Sequence, residues 1–435
     1  MRAANNVKKL NAAKTFIAQS FNKPNNSSRL IYLTTRLPMP LLTTNNTFLQ
    51  RTFLLLIALI ITSPIFAAPV IIPAPPQLAA SSYLLVDADT GEVLVEHNAH
   101  EELPPASLTK MMTSYVVSSE IYRDRLQPTD LVPISVKAWR MGGSKMFVRE
   151  STEVPLEDLL RGVIIQSGND ASVALAEYVA GSESAFVDIM NQQAALLGMN
   201  NTQFRNSTGW PAEGHYTTAW DLSLLARALI NDFPAHYAIY SERDFTYGAP
   251  GEQPKTQRNR NTLLFRDKTV DGIKTGHTEE AGYCLVASAV RDDMRLISVV
   301  MGTRSQSARA DESQKLLSYG FRYYETAQVL AAGESLAEQR VWSGKQDQIQ
   351  LGLNKNLQLT LPRGSADDVT LSTEVDDVLK APIKQFQAIG KLRVTLDGET
   401  LAEEPLLALS AVERAGFFSR LWDGIKLFFI QLFSS

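Results

Sequence analysis

Along this chain the spacing of apolar residues changes period several times, and each change marks a different element. Residues 155–166 (PLEDLLRGVIIQ) set Leu156, Leu159, Leu160, Val163 and Ile164 three and four apart. With Glu157 and Asp158 in the opening turn, this spacing predicts an amphipathic helix. Similar patterns over 170–180 (DASVALAEYVA), 183–197 and 219–230 extend the prediction to a helical lobe spanning roughly 128–235. β-rich runs at 83–87 (YLLVD) and 92–96 (EVLVE), joined through Asp89-Thr90-Gly91, predict a β-hairpin. Pro104-Pro105-Ala106-Ser107 then opens a predicted helix running to about Glu120. Strand patterns return over 269–275, 282–290 and 295–301, the last two turned at Asp292-Asp293, and a helix over 308–326 closes this α/β body. Beyond about residue 332, the β-rich runs 348–361, 369–375 and 391–396 alternate with Gly, Pro, Asp and Asn, which predicts a small all-β domain.

The two ends carry their own patterns. Residues 52–61 (TFLLLIALII) follow Arg51 and lead into Thr62-Ser63-Pro64-Ile65-Phe66-Ala67-Ala68. So short an apolar run with small residues behind it predicts a secretory signal cleaved after Ala67 or Ala68. Met39 would give that signal a leader of ordinary length, so 1–38 reads as a mis-called N-terminal extension. From Phe417 onward, bulky residues at 418, 421, 422, 425, 428, 429, 432 and 433 form one stripe of a helix. Ser419, Arg420, Asp423, Lys426 and Gln431 occupy the other side, with Leu427 and Ile430 as exceptions. Charges interrupt this segment too often for a span, so it predicts an interfacial anchor lying on a membrane surface. The expected organisation is a signal segment over 1–68, a catalytic domain over 69–332, a β-rich domain over 333–409 and an amphipathic anchor helix over 410–435.

Composition narrows the chemistry. With 435 residues, 45% of them hydrophobic, the chain can build two or three sizeable cores. Cys284 is the single cysteine, which excludes an intramolecular disulfide and a multi-cysteine metal site, and its strand position reads as buried packing. The five histidines show no ligand-type spacing, so neither metal nor other cofactor is expected. Residues 1–52 hold eight Lys/Arg and no Asp/Glu, leaving 34 basic against 46 acidic residues and a body near −12. Such a body offers no basic face for nucleic acid.

Against that background three clusters stand out: Ser107-Leu108-Thr109-Lys110, Ser167-Gly168-Asn169 and Lys274-Thr275-Gly276. Ser107 and Lys110 lie three apart on the predicted helix, hence on one face, at an N-terminus whose free N–H groups favour developing negative charge. A serine hydroxyl needs a base to remove its proton, and lysine serves only when burial or a second cation lowers its pKa. The second cluster falls in the joint between two predicted helices, with Asp170 placed to cap the second, and can offer a hydroxyl and a carboxamide. The third ends a predicted strand, where Lys274 supplies charge, Thr275 a hydroxyl, and Gly276 close backbone approach. Each alone reads as turn or edge chemistry. In this order they form a motif set known from penicillin-binding proteins and class A β-lactamases.

Longer stretches make the likeness specific: PASLTKMMTSYVV (105–117), LLRGVIIQSGNDA (159–171), VDGIKTGHTEEAGYCLVASA (270–289), MRLISVVMGT (294–303) and ESQKLLSYGFRYYE (312–325). They resemble the D-alanyl-D-alanine carboxypeptidases, the low-molecular-mass penicillin-binding proteins. VWSG (341–344), LPRG (361–364) and APIKQFQ (381–387) resemble that family's second domain, and the tail its membrane anchor. The resemblance implies a transpeptidase-like α/β fold, an antiparallel sheet with flanking helices and a helical lobe, then the β domain. It implies that Ser107 attacks the carbonyl between the terminal D-alanines of a peptidoglycan stem peptide, with Lys110 as base. Backbone N–H groups of Ser107 and His277 would form the oxyanion hole. Ser167 and Lys274 would return a proton to the departing D-alanine, while Asn169 orients the substrate. Lys274, Thr275 and Arg309, beside Gly276, would hold the terminal carboxylate, with Arg260 at the rim. β-Lactam antibiotics would acylate Ser107, at the outer face of the bacterial cytoplasmic membrane after export. Two departures stand out: His215-Tyr216-Thr217-Thr218 where relatives often carry Gln-Tyr-Ser-Ser, and a shortened loop over 137–149. Two alternatives stay open, a β-lactamase-like hydrolase and a non-catalytic cell-wall morphology protein. No Glu-x-x-Leu-Asn string, the setting of a lactamase deacylating glutamate, lies between Asn169 and Lys274.

Overall fold

The computed structural model describes residues 71–433; the predicted signal segment lies outside them. The hairpin forms as expected, β1 (Ser82–Asp87) pairing antiparallel with β2 (Val93–His97). Strand β1 is buried along its whole length because a second strand flanks it and elements cover both faces, so its sequence reads as a nearly continuous apolar run.

The helix expected from Ser107 begins later. Residues Ala106–Thr109 form a 3-10 turn, and α1 runs Lys110–Tyr122. Ala106 has φ 47°, so the chain enters from the left-handed region and tightens before the α pattern starts.

The lobe follows. β3 (Leu131–Pro133), α2 (Val136–Arg140) and β4 (Glu153–Pro155) lead to α3 (Leu156–Ile164), α4 (Asn169–Ala180), α5 (Glu183–Leu196) and α6 (Ala219–Asp232). Ser135, Ser182 and Thr218 cap α2, α5 and α6, each hydroxyl accepting a backbone N–H of the first turn. Short α7 (Pro234–Tyr237), the hairpin β5 (Asp244–Tyr247) with β6 (Lys255–Arg258), and α8 (Leu263–Arg266) return the chain to the body.

There β7 (Val270–Thr278), β8 (Gly282–Arg291) and β9 (Met294–Thr303) complete an antiparallel five-stranded sheet ordered β2-β1-β9-β8-β7, closed by α9 (Gln306–Tyr323). Strand β7 runs three residues past the expected end at Thr275, because pairing with β8 continues through His277 opposite Tyr283. One core packs the lobe helices on the sheet, and a second packs α9 on the opposite face.

The all-β part opens with β10 (Tyr324–Leu330), ahead of the expected start near 332 and over the last residues of the helix expected to reach 326. It continues with β11 (Ala337–Trp342), β12 (Gln348–Gly352), β13 (Leu357–Pro362), β14 (Thr370–Val375), β15 (Leu379–Lys380), β16 (Ala388–Leu396) and β17 (Glu399–Ala408). The run 348–361 thus divides into two strands around Asn354-Lys355-Asn356. Strands β10 and β13 pair by themselves, and the other six form one sheet ordered β14-β16-β17-β12-β11-β15 over its own core. Buried Asp87 joins this part to the body: its Oδ2 accepts from Thr326 Oγ1 at 2.5 Å and Thr360 Oγ1 at 2.8 Å. Its Oδ1 meanwhile accepts from Asp89 N at 2.9 Å in the first hairpin.

The last helix, α10 (Phe417–Phe433), meets the β part through Asp423 and Leu427, while Ser419, Arg420 and Lys426 stay exposed. Asp423 Oδ2 accepts from Ser343 N at 2.8 Å and Leu427 is buried, which explains the apolar residue off the stripe. Phe418, Leu421, Trp422, Phe428 and Phe429 are exposed. No helix among the described residues is long and apolar enough to cross a membrane.

Candidate active site

The 3-10 turn delivers Ser107 and the first residue of α1 to one point. Lys110 is fully buried, and its Nζ lies 3.1 Å from Ser107 Oγ, 2.7 Å from Asn169 Oδ1 and 2.5 Å from the Thr208 carbonyl oxygen. Nζ donates to all three oxygens; once the amine is neutral, two N–H groups can keep the carbonyl oxygens while the lone pair turns to the Ser107 hydroxyl. Burial lowers the Lys110 pKa to about 7, with Arg260 pushing the same way and Asp170 pulling against it.

The joint between α3 and α4 brings the second cluster. Ser167 adopts φ 59°, and its Oγ accepts from Lys274 Nζ at 2.8 Å. Lys274 is buried on β7, and burial, then Lys110, Arg260 and Arg309, hold its pKa well below the usual lysine range. Asn169 donates from Nδ2 to Gly142 O at 2.7 Å, so the loop over 137–149 buttresses the carboxamide that meets Lys110. Asp170 does not cap α4, whose N-cap is Gly168 with no side-chain cap. It is buried, and its carboxylate accepts from the Met146, Phe147 and Val148 N–H groups at 2.8–3.2 Å as well as from Ala171 N in the first turn of α4 at 3.0 Å.

Arg309 on α9 donates from Nη1 to Gly276 O at 3.0 Å, and Arg260 donates from Nε to Gln166 O at 3.0 Å. Burial lowers the Arg309 pKa to about 10. A cavity of about 780 Å³ opens over Ser107, Asn169, Arg260 and His277. A smaller one of about 170 Å³ runs from Ser107 to Ser167, Thr275, Gly276 and Arg309. All ten residues singled out from the sequence therefore meet, eight on the cavity walls and the two lysines beneath. Sequence reasoning missed several wall residues, among them Ser144, Thr208 and Trp210. The last two lie in NSTGW (206–210), a turn whose composition marks a loop and nothing more. Among the described residues no group of three or more His, Cys, Asp or Glu side chains could hold a metal ion.

This constellation coincides with a family assignment. A family profile described as D-alanyl-D-alanine carboxypeptidase matches residues 70–305, and one described as penicillin-binding protein 5, C-terminal domain, matches 324–414. The chain belongs to the D-alanyl-D-alanine carboxypeptidase family. Within that family it is 44% identical over 370 residues to D-alanyl-D-alanine carboxypeptidase DacA of Escherichia coli K12, covering 83% of this chain and 91% of the relative. It is 43% identical over 378 residues to DacC of the same organism, covering 85% and 93%. Among solved carboxypeptidase-family structures, penicillin binding protein 5 from Haemophilus influenzae superposes with a TM-score of 0.74 at 42% identity, covering 79% of this chain and all of that one. The fold expected from the sequence, with its appended all-β domain, is the fold of these relatives.

Proposed function

We propose that this chain is a serine-type D-alanyl-D-alanine carboxypeptidase, which removes the terminal D-alanine of peptidoglycan pentapeptide stems through an acyl-enzyme on Ser107. One observation carries the reading: the buried Lys110 amine stands 3.1 Å from Ser107 Oγ with a pKa near neutrality. Neutral Lys110 takes the Ser107 proton as Oγ bonds to the penultimate D-alanine carbonyl carbon. The oxyanion that forms is held by the Ser107 and His277 backbone N–H groups. When the C–N bond breaks, the departing amine takes a proton relayed through Ser167 and Lys274. Water, oriented with Asn169, then releases the shortened peptide and restores Ser107. Lys274, Thr275 and Arg309 grip the terminal carboxylate beside Gly276, with Arg260 at the rim.

The same attack opens a β-lactam ring, whose amide carbon becomes the Ser107 ester. We read the chain as exported, with 1–68 removed, 69–332 catalytic, 333–409 an all-β spacer domain and 410–435 a peripheral anchor on the outer face of the cytoplasmic membrane. The exposed aromatic stripe of α10 supports that anchor.

The deciding assay incubates the protein with a synthetic peptide ending in D-Ala-D-Ala and measures free D-alanine beside Ser107→Ala. Release that depends on Ser107 supports the reading. No release from folded protein sinks it and moves the assignment to a lactamase-like or non-catalytic wall protein, which penicillin turnover separates.

A further inference from the structure

The carbonyl that Lys110 grips belongs to a turn without any assigned part in the reaction. Within residues 206–210, Asn206 Oδ1 accepts from Thr208 N at 3.1 Å, Thr208 Oγ1 at 3.0 Å, Gly209 N at 2.7 Å and Trp210 N at 3.1 Å. Its Nδ2 donates to Trp210 O at 2.9 Å. One side-chain amide therefore gathers the whole turn.

That turn is seated on the nucleophile. Gly209 has φ +81°, and a Cβ added there would stand 1.7 Å from Ala106 O and 3.0 Å from Ser107 N. Its backbone packs directly on the peptide preceding Ser107. Ala106, left-handed at φ 47°, is a conformation alanine adopts only where its surroundings impose it. Two further ties reach the same region. Thr113 Oγ1 on α1 donates to Ser207 O at 2.6 Å. Buried His215 sets Nε2 3.1 Å from Thr109 Oγ1 and Nδ1 3.4 Å from Asn206 Nδ2. Burial, then Arg205, lowers the His215 pKa to about 4, so the ring is neutral at pH 7. Its two nitrogens then link Asn206 to Thr109.

We propose that Asn206 is a positioning residue for acyl transfer: it sets the Thr208 carbonyl against the Lys110 amine and holds Gly209 against the Ser107 peptide. The inference rests on the Ser107–Lys110 reading above. Asn206 touches neither substrate nor the reacting atoms and acts through the turn. The ionisable groups around Lys110 are Lys274 on β7, Arg260 before α8, Asp170 on α4 and, behind Thr109, neutral His215.

The test measures the rate of acylation by a fluorescent penicillin from pH 5 to 9, with the full chain, Asn206→Ala and Asn206→Asp. For Asn206→Ala we expect acylation about 10- to 100-fold slower at pH 8. Its acid limb should lie at higher pH, because water reaching Lys110 relieves the burial that lowers its pKa. Asn206→Asp keeps an oxygen for the same amides, so its rate at high pH should return to within about threefold of the parent. Its limb should also lie above the parent's, since an added carboxylate favours the charged amine. A folded Asn206→Ala with the parent's rate and limb overturns the proposal. So does a loss equal at every pH that Asn206→Asp leaves unrestored, the mark of a general packing defect. If Asn206→Ala does not fold, the Asn206→Asp limb decides: displaced supports, unmoved overturns. Absence of Ser107-dependent acylation in the parent protein would instead remove the functional reading beneath, and the proposal with it.

Discussion

Lowering the pH should titrate the enzyme's base, and the geometry says where. A lysine at its ordinary value of 10.5 would hold about one neutral amine in 3,000 at pH 7; at about 7, half of the Lys110 amines are neutral. Burial thus raises the supply of competent base about a thousandfold. Because the neutral form removes the Ser107 proton, acylation should rise with pH and level off above the Lys110 pKa. Between pH 8 and pH 5 the neutral fraction falls from about nine-tenths to about one-hundredth, so the second-order acylation constant should drop about 90-fold. Stopped-flow mixing with a fluorescent penicillin measures it directly, free of later steps. Lys110→Arg supplies the control, since a guanidinium stays charged throughout and should cost about 10²–10⁴ in rate with no limb left. A flat profile from pH 5 to 8 would refute the reasoning, as would a limb near 7 that survives in Lys110→Arg.

Other outcomes follow from single contacts. Arg309→Gln should raise KM for a peptide ending in a free carboxylate about tenfold or more with little change in kcat, and should leave an amidated peptide unaffected; steady-state D-alanine release separates the two. Asp170→Ala leaves the Met146, Phe147 and Val148 amides without their acceptor, which should cost about 1–3 kcal/mol for each amide that stays buried. Denaturant midpoints would show it, and an unchanged midpoint would mean water replaces the carboxylate. Replacing Trp422 and Phe428 with serine should release the chain from phospholipid vesicles in a flotation assay while D-alanine release in solution stays as before.

The parts legible in the sequence are those governed by short-range rules. Helical spacing around Leu159 and Val163 comes from one face of an element meeting one core, and the continuous apolar run around Tyr83 from a strand buried on both faces. The three clusters at the site were legible because each is contiguous. What escaped depends on groups that meet only after folding. Ala106 turns left-handed because the 206–210 turn presses on it, so the 3-10 entry at Ser107 carries no local signature. Asp170 reads as a helix cap by position, yet a loop more than twenty residues earlier claims its oxygens. Asn206 sits in a sequence that any loop might have. In the β part, β10, β11, β15 and β17 went unseen, because their polar residues break the β-rich runs and β15 is only two residues long.

The Asp87 carboxylate has a consequence for how the molecule comes apart. One oxygen holds the first hairpin of the body, and the other holds a threonine from each strand of the β10–β13 pair. Melting either side strands a buried carboxylate on the other, a penalty of about 1–3 kcal/mol or more. The body and the β part are thereby made to share one fate: heating should give a single calorimetric transition in place of two, and Asp87→Ala should split it.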